Sequence, residues 1–270
     1  MRSVFYISDQ TGITTEKLGA ALLGKFPQIE FRKESFPFAD TPSKISQALI
    51  RVKNRFLTDG MKPIIVSSVI TPKLRKLLDV DYALTLDFFD AFIGKMEAEL
   101  GCQATHEISK IHGIGDEDKY NHRIDAIHYS LDNDDGVSSR HYDEADIIII
   151  GVSRVGKTPT SIYLSVNYGI KVANYPLAEA DLQTDHLPKA LVPYHHKLFG
   201  LSIEVERLHS IRTHRLPNSK YAQLNTCVYE IQAAERIMNH CGVPFLNTSH
   251  KSIEEISVAI MQLVRIKRQF

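Results

Sequence analysis

The sequence lacks the features that direct a protein to nucleic acid, to a membrane or to an oxidising compartment. Its 32 basic and 32 acidic residues leave no net charge, so no overall field favours nucleic acid or an anionic surface. No apolar run approaches the roughly 20 residues of a membrane-spanning helix. The three cysteines form no C-x-x-C pair and are odd in number, which is typical of a reduced compartment. Because the N-terminus leads directly into a predicted strand, we expect no signal peptide and a cytoplasmic protein.

One motif dominates what is present: residues 151–158 match the phosphate-binding pattern G-x-x-x-x-G-K-[ST] in full. A short β-branched run at 146–150 precedes the motif, and a segment with helical apolar spacing follows it. This strand, loop and helix favour a nucleotide-binding or phosphate-binding loop over a glycine turn that binds nothing. Its residues are Gly151, Val152, Ser153, Arg154, Val155, Gly156, Lys157 and Thr158.

The residue types of this loop predict how it would hold phosphate. Gly151 and Gly156 permit positive φ, so that consecutive amides can converge on one anion. The helix that begins near Thr158 adds its unpaired N–H groups and the positive end of its dipole. Lys157 is predicted to reach the terminal phosphoryl group, and the Thr158 hydroxyl to bind Mg²⁺. Because Pro159 lacks an N–H that could face the α-phosphate, contacts are expected to favour the terminal group.

The rest of the chain predicts an α/β fold. Its composition, 43% hydrophobic and 24% charged, is ordinary for a globular protein. Apolar runs typical of buried strands alternate with helical segments such as 15–26, on which Leu18, Leu22 and Leu23 are expected to face inward. Such alternation predicts parallel sheets with helices on their faces.

The length of the chain allows two domains. Its 270 residues suit one large α/β domain or two modest ones. The aspartate-rich turn at 132–136 is the predicted boundary between them. It divides an N-terminal α/β domain, residues 1–135, from a domain of residues 136–270 that carries the phosphate loop and is expected to resemble a kinase.

A second candidate site lies where the first predicted strand ends, at residues 8–12, Ser-Asp-Gln-Thr-Gly. These residues precede a helix at the edge of a parallel sheet, where α/β proteins bind ligands. The same residue types also serve as a helix cap and a turn, so both interpretations stay open. Asp9 is one candidate for a carboxylate that binds Mg²⁺, and Asp134 and Asp135 in the aspartate-rich turn are the others.

Two further groups of residues have a structural and a functional interpretation. Arg207, Arg212 and Arg215 belong to one predicted helix and could clamp an anion, with solvated surface charges as the alternative. Residues 174–176, Asn-Tyr-Pro, end the strand after the loop helix, at the sheet edge where a bound nucleotide would lie. A turn that only ends the strand is the alternative.

Taken together, these segments resemble a known family. The stretch GVSRVGKTPTSIYLS from Gly151 is similar to the nucleotide signature of the bacterial and plant regulatory proteins of phosphoenolpyruvate synthase and of pyruvate, phosphate dikinase. Residues 8–12 resemble the N-terminal hallmark of that family. Further matches lie at 134–136, 173–176, 197–201, 207–208, 211–212 and 252–255. The resemblance spans essentially the whole chain, and the Gly156-Lys157 form of the loop is closer to the phosphoenolpyruvate synthase branch.

The resemblance implies a bifunctional enzyme. As a serine/threonine protein kinase it would use ADP to phosphorylate a threonine of phosphoenolpyruvate synthase and inactivate it. As a phosphorylase it would remove that phosphate with inorganic phosphate, releasing pyrophosphate. The ADP-binding segment of the family falls on residues 151–158.

The residues expected to carry these two reactions follow from their chemistry. Lys157 would stabilise the charge that develops as the phosphoryl group leaves. Asp9 or Asp135 would accept the proton of the target threonine. In the reverse reaction two anions meet, and Arg154 and Arg212 would screen their repulsion.

Other functions stay open at this point. The same activity could act on pyruvate, phosphate dikinase. A small-molecule P-loop kinase would share the loop, and the Arg212 region would then be its arginine-rich lid. A nucleotide sensor would bind ADP and the target enzyme without transferring phosphate. A homodimer is a further expectation for a regulator that docks a large enzyme.

Overall fold

The computed structural model describes residues 1–105, 117–134 and 141–264. The chain divides into two compact units, Met1–Ile111 and His112–Phe270. Each unit contains a four-stranded sheet in which every neighbouring pair of strands is parallel. The predicted α/β fold with parallel sheets is therefore confirmed. Among the described residues, no helix combines the length and the apolar character that crossing a bilayer requires.

The first unit is built on a sheet with the strand order β2-β1-β3-β4. Its strands are β1 (Arg2–Ile7), β2 (Phe31–Phe36), β3 (Ile64–Ser67) and β4 (Leu84–Asp87). Its helices are α1 (Ile13–Leu23), α2 (Pro42–Asp59), α3 (Pro72–Arg75) and α4 (Phe88–Leu100), and a short 3-10 helix, Lys76–Leu78, follows α3. The sequence does not predict β4, because only four residues pair there and Leu84 and Leu86 stay partly exposed.

Helix α1 shows how packing can differ from an apolar pattern. Its buried residues are Thr15, Gly19 and Leu23, which are spaced four apart on one face. Gly19 is required on that face because a Cβ atom there would collide with the ring of Tyr6 on β1. The prediction that Leu18 and Leu22 face inward is wrong, since these side chains are 39% and 43% exposed.

The second unit is built on a sheet with the strand order β6-β5-β7-β8. Its strands are β5 (Ile147–Gly151), β6 (Val172–Pro176), β7 (Leu198–Ser202) and β8 (Phe245–Asn247). Its helices are α5 (Glu117–Asp132), α6 (Lys157–Tyr168), α7 (Val205–Arg215), α8 (Leu224–His240) and α9 (Ile253–Val264). Short 3-10 helices span Asp181–Gln183, Val192–Lys197 and Lys220–Ala222.

The core of the second unit positions the phosphate loop. All five residues of β5 are buried, as the run of isoleucines predicts. Helix α5 packs on α6, and the Ser130 and Ser165 hydroxyls of these helices lie 2.7 Å apart. Because α5 belongs to this unit, the units divide earlier in the chain than the predicted boundary between residues 135 and 136.

Candidate phosphate-binding site

The phosphate loop joins the carboxyl end of β5 to the first turn of α6. Gly151 has a φ of 151°, and a Cβ atom there would collide with the carbonyl oxygen of Leu201 on the neighbouring strand β7. Only glycine lets β5 end so close to β7. Farther along, Arg154 and Gly156 have φ values of 78° and 99°, in the left-handed region. These two residues flank the buried Val155 and fold the chain into a closed loop.

The backbone of this loop presents its donors in one place. Within the described ranges, the amides of Ser153, Arg154, Val155 and Gly156 have no hydrogen-bond acceptor. They lie beside the N-terminus of α6, where helical amides and the helix dipole also favour an anion. A cavity of about 330 Å³ opens here, and we call it the loop cavity. Its walls are formed by Ser153, Arg154, Gly156, Lys157, Thr158, Pro159 and Pro176.

Lys157 holds its charge against the loop. Its side chain is almost entirely buried, and its ammonium group donates to the carbonyl oxygens of Gly151 at 3.0 Å and Val152 at 2.9 Å. Because Lys157 also lines the loop cavity, a positively charged residue lies beside the loop amides at this cavity. Arg154 lines the same cavity and is exposed to solvent.

A carboxylate reaches the loop from the residues that follow α5. Oδ1 of Asp134 accepts a hydrogen bond from the Thr158 hydroxyl at 2.9 Å and one from the side-chain amide of Asn174 at 2.5 Å. The same Asn174 nitrogen donates to the Ser161 hydroxyl at 3.0 Å. Asn174 is fully buried in the middle of β6, and its Oδ1 has no partner in the described part of the chain.

This cluster has the oxygen donors that suit a hard cation. The Asp134 carboxylate, the Thr158 hydroxyl and the Asn174 carbonyl oxygen match the ligand types of Mg²⁺. The prediction that Thr158 binds the metal stays a prediction, and the cluster supplies a carboxylate for it at hydrogen-bond distance. The sequence does indicate Asp134 and Asn174 as candidates, but the link that Asn174 makes to Ser161 follows only from the fold.

The other two predicted carboxylates are not brought to this cluster by any described contact. Asp9 lies in the first unit, and its Oδ2 accepts from the amides of Ile70 at 2.8 Å and Thr71 at 3.5 Å. Its buried Oδ1 has no partner among the residues described. These bonds tie Asp9 to the loop that follows β3. Asp135 lies outside the described residues, so the role of either carboxylate as a base stays a prediction.

Arg212 supports the loop from behind. It is fully buried on α7, and it donates to the carbonyl oxygens of Ser153 and Tyr221, each at 3.1 Å. It also forms an ion pair of 2.6 Å with Glu230 on α8. Because its charge is neutralised by Glu230, Arg212 positions the loop, whereas the sequence predicts that it screens bound anions. The one available signal is its position four residues after the buried Leu208, on the inner face of α7.

Other contacts that the sequence does not predict hold the loop at its two sides. The Ser153 hydroxyl lies 3.0 Å from the Tyr221 hydroxyl. On β8's side, the Thr248 hydroxyl donates to the Val155 carbonyl at 3.0 Å. The remaining arginines of α7, Arg207 and Arg215, are exposed. This agrees with the alternative interpretation, in which they are solvated surface charges.

Comparison with known proteins extends from this loop to the whole chain. A family profile described as kinase/pyrophosphorylase matches residues 4–261. The chain is 47% identical over 270 residues to a protein of Laribacter hongkongensis, which covers 100% of this chain and 98% of the relative. It is 46% identical over 268 residues to a protein of Acinetobacter baylyi, with 99% and 96% covered. Both relatives carry the name "Putative phosphoenolpyruvate synthase regulatory protein".

A third relative carries the same name and is similar over the same length. A protein of Neisseria gonorrhoeae with that name is 44% identical over 269 residues, which cover 100% of this chain and 98% of the relative. Both units are therefore included in the similarity, and the phosphate loop is one part of it.

Proposed function

This chain belongs to the kinase/pyrophosphorylase family, and from that premise we propose that it regulates phosphoenolpyruvate synthase by reversible phosphorylation. As a kinase it transfers the β-phosphoryl group of ADP to a threonine of the synthase and inactivates it. As a phosphorylase it restores the synthase with inorganic phosphate and releases pyrophosphate. The observation that carries this proposal is a cavity lined by Ser153, Arg154, Gly156 and Lys157, in a loop whose amides at 153–156 have no acceptor within the described residues.

In the forward reaction, the threonine oxygen forms a bond to the β-phosphorus while the bond from that phosphorus to the bridging oxygen breaks. AMP leaves with the bridging oxygen, and the threonine proton passes to a carboxylate, for which Asp9 and Asp135 are our candidates. Lys157 and the loop amides neutralise the charge that gathers on the transferred group and the leaving oxygen.

Mg²⁺ would be held by Thr158 and Asp134, with Asn174 orienting the carboxylate. A bound magnesium ion supplies positive charge to the phosphoryl oxygens during transfer. Asp134 and Asn174 keep the Thr158 hydroxyl oriented at the start of α6 in either direction of the reaction.

In the reverse reaction, an oxygen of inorganic phosphate forms a bond to the phosphorus of phosphothreonine. The bond from phosphorus to the threonine oxygen breaks, pyrophosphate is released, and the threonine oxygen takes a proton. Two anions must approach each other for this step. The exposed Arg154 at the loop cavity, together with Lys157, reduces their repulsion.

ADP labelled in its β-phosphate tests the proposal when it is incubated with the purified chain in three parallel mixtures. These contain purified phosphoenolpyruvate synthase, purified pyruvate, phosphate dikinase, or small metabolites without a protein target. We expect label on a synthase threonine, and release of labelled pyrophosphate when inorganic phosphate is then added. Label on pyruvate, phosphate dikinase alone would move the target to that enzyme. Label on a small metabolite would favour a small-molecule kinase, and ADP binding without transfer would favour a nucleotide sensor.

A further inference from the structure

A second cavity in the second unit adjoins the phosphate loop. It has a volume of about 470 Å³ and lies between the segment that follows β6, at Glu179, and the first turns of α8, at Asn225 and Tyr229. Tyr221 forms part of its wall. The Tyr229 hydroxyl donates to the carbonyl oxygen of Leu182 at 3.1 Å, so α8 and the segment after β6 are fastened together beside the cavity.

The two cavities share a wall. Tyr221 lines the second cavity, and its hydroxyl lies 3.0 Å from the hydroxyl of Ser153, which lines the loop cavity. Arg212 holds both residues by their carbonyl oxygens, and its guanidinium lies 4.2 Å from the Tyr221 ring. The position of the second cavity relative to the phosphate loop is therefore fixed by a buried residue.

The direction of the loop decides which part of the reaction lies next to the second cavity. In a phosphate loop the loop backbone and its lysine hold the terminal phosphates, whereas an amide just after the Lys-Thr pair would face the α-phosphate. Pro159 thus marks the side from which the nucleoside extends. Ser153 marks the opposite side, where an acceptor must approach in line. The second cavity adjoins Ser153, on the acceptor's side.

The walls of the second cavity are neutral and mixed in character. Tyrosine rings, the Asn225 amide and the Thr226 hydroxyl offer both apolar contact and hydrogen bonds. The charge of Glu230 is already neutralised by Arg212. At the rim, Lys220 and Glu179 lie 3.9 Å apart and are highly exposed, so this ion pair can exchange for charges on a partner at little cost. Such a surface suits an extended peptide.

We propose that the second cavity binds the segment of the protein substrate that carries the acceptor threonine, with the threonine hydroxyl directed toward Ser153. This inference rests on the proposed function and adds the place where the target is recognised. Tyrosine rings hold the peptide, and the side chains of Asn225 and Thr226 bond to its main chain. The ADP site is a separate part of the same surface.

The test places bulk and charge in the cavity without touching the phosphate loop. Asn225 is exposed on α8, so Asn225→Arg should fold, and its side chain would fill the space that the peptide needs. We expect the KM for the protein substrate to rise by about tenfold or more, while the affinity for ADP measured by calorimetry stays unchanged. Gln232→Arg, at an exposed position two turns farther along α8, is the matched control and should change neither value.

Each result decides the inference. An unchanged KM in Asn225→Arg would overturn it. An equal loss of ADP affinity would also overturn it, because the cavity would then hold the nucleoside. Asn225→Ala, which adds no bulk, should raise the KM by about two- to fivefold, and it keeps the test valid if the arginine variant folds poorly. If the unmodified chain transfers no label to the synthase, the proposed function itself fails and this inference fails with it.

Discussion

The two sheets of this protein have the same strand order but hold different chemistry at equivalent places. In each unit the first strand lies between the second and the third, and the fourth lies beyond the third. The loops after β1 and β5 therefore both lie at a switch point, where α/β sheets bind ligands. After β1, the Asp9 carboxylate occupies that place and is bound by the amides of Ile70 and Thr71. After β5, loop amides and Lys157 occupy it.

The shared strand order thus places both loops at a position where ligands bind, and the residues of each loop decide which charge it can bind. The Asp9 carboxylate is itself negatively charged and already accepts the amides of Ile70 and Thr71, so the loop after β1 is poorly suited to bind an anion. Four amides without an acceptor in the described chain, next to an ammonium group, create the opposite condition. We therefore expect the affinity for ADP to depend on the loop after β5 and not on the charge of Asp9.

The largest expected effect is on ADP binding and phosphoryl transfer in Lys157→Ala. Loss of the ammonium group should lower both transfer activities by about 100- to 1,000-fold and weaken ADP binding measured by calorimetry. Lys189→Ala, which changes an exposed lysine of the same unit, is the control and should behave like the unmodified chain.

Asp9→Asn completes this comparison. It keeps an oxygen that accepts from Ile70 and Thr71 but removes the charge, so ADP affinity should not change even if the transfer rate falls. Weaker ADP binding by Asp9→Asn, or full activity in Lys157→Ala, would contradict the distinction between the two loops.

The next largest effect concerns one arginine in each unit that holds loop carbonyls and pairs with a carboxylate. Arg75 in the first unit donates to the carbonyl oxygens of Val69 and Ile70, each at 3.1 Å, and lies 3.6 Å from Asp87. Arg212 in the second unit also combines two carbonyl acceptors, those of Ser153 and Tyr221, with a carboxylate partner, but it is fully buried and its ion pair is 2.6 Å long. Arg212→Met should therefore lower the free energy of unfolding by about 3 kcal/mol, because it leaves the Glu230 charge without its partner.

Arg75→Met should cost less, about 1 kcal/mol, since the Asp87 pair is longer and partly reached by solvent. Urea denaturation followed by circular dichroism measures both values. Equal losses in the two variants would mean that burial of Arg212 adds nothing to its contribution. Arg212→Met should also weaken ADP binding, because the Ser153 carbonyl loses its donor.

Replacing the glycine at each switch point with alanine should destabilise the chain by different amounts, for a steric reason. In Gly151→Ala the added Cβ meets the backbone of Leu201, so β5 and β7 must move apart, and we expect a loss of about 2–3 kcal/mol. In Gly12→Ala the added Cβ would lie 3.8 Å from its nearest neighbour, the Cβ of Ser8, so it meets no clash. The only cost is that of holding alanine at a φ of 76°, about 1 kcal/mol. Thermal unfolding of the two variants checks this order, and a greater cost for Gly12→Ala would reverse the comparison.

The sequence predicts best where structure depends on neighbours along the chain. The loop, the strand before it and the helix after it are all contained in about 25 residues, and the buried β5 follows from its isoleucines. Leu18 and Leu22 were predicted wrongly because Gly19 brings α1 against Tyr6 and turns the leucines outward. That outcome depends on a contact with another element.

The support of the loop could not be predicted for the same reason. Arg212 and Tyr221 reach Ser153 from about 60 and 70 positions away in the sequence, and no local pattern joins them. Asp134 was indicated as a candidate because it is a carboxylate in the aspartate-rich turn, and Asn174 because its predicted strand ends at the sheet edge. Their shared bond could be found only once β6 was placed beside β5.

The smallest expected effect compares one helix cap from each unit. Ser252 and Glu255 form a reciprocal pair at α9, in which the Glu255 amide donates to the Ser252 hydroxyl at 3.2 Å and the Ser252 amide donates to the Glu255 carboxylate at 2.7 Å. At α2, Thr41 accepts a single bond of 3.4 Å from the Lys44 amide. Ser252→Ala should therefore cost about 1 kcal/mol and Thr41→Ala about 0.5 kcal/mol in urea denaturation at pH 7.

The cap of α9 also predicts a dependence on pH, because one of its acceptors is a carboxylate. The hydrogen bond from the Ser252 amide lowers the pKa of the Glu255 carboxyl, so ionised Glu255 stabilises the folded chain. That contribution is present above the ordinary glutamate pKa and is lost as the pH falls through the lowered value. Glu255→Gln should therefore be less stable than the unmodified chain at pH 7, and the difference should shrink toward pH 3. A difference that stays constant over this range would show that the Glu255 charge has no part in the cap.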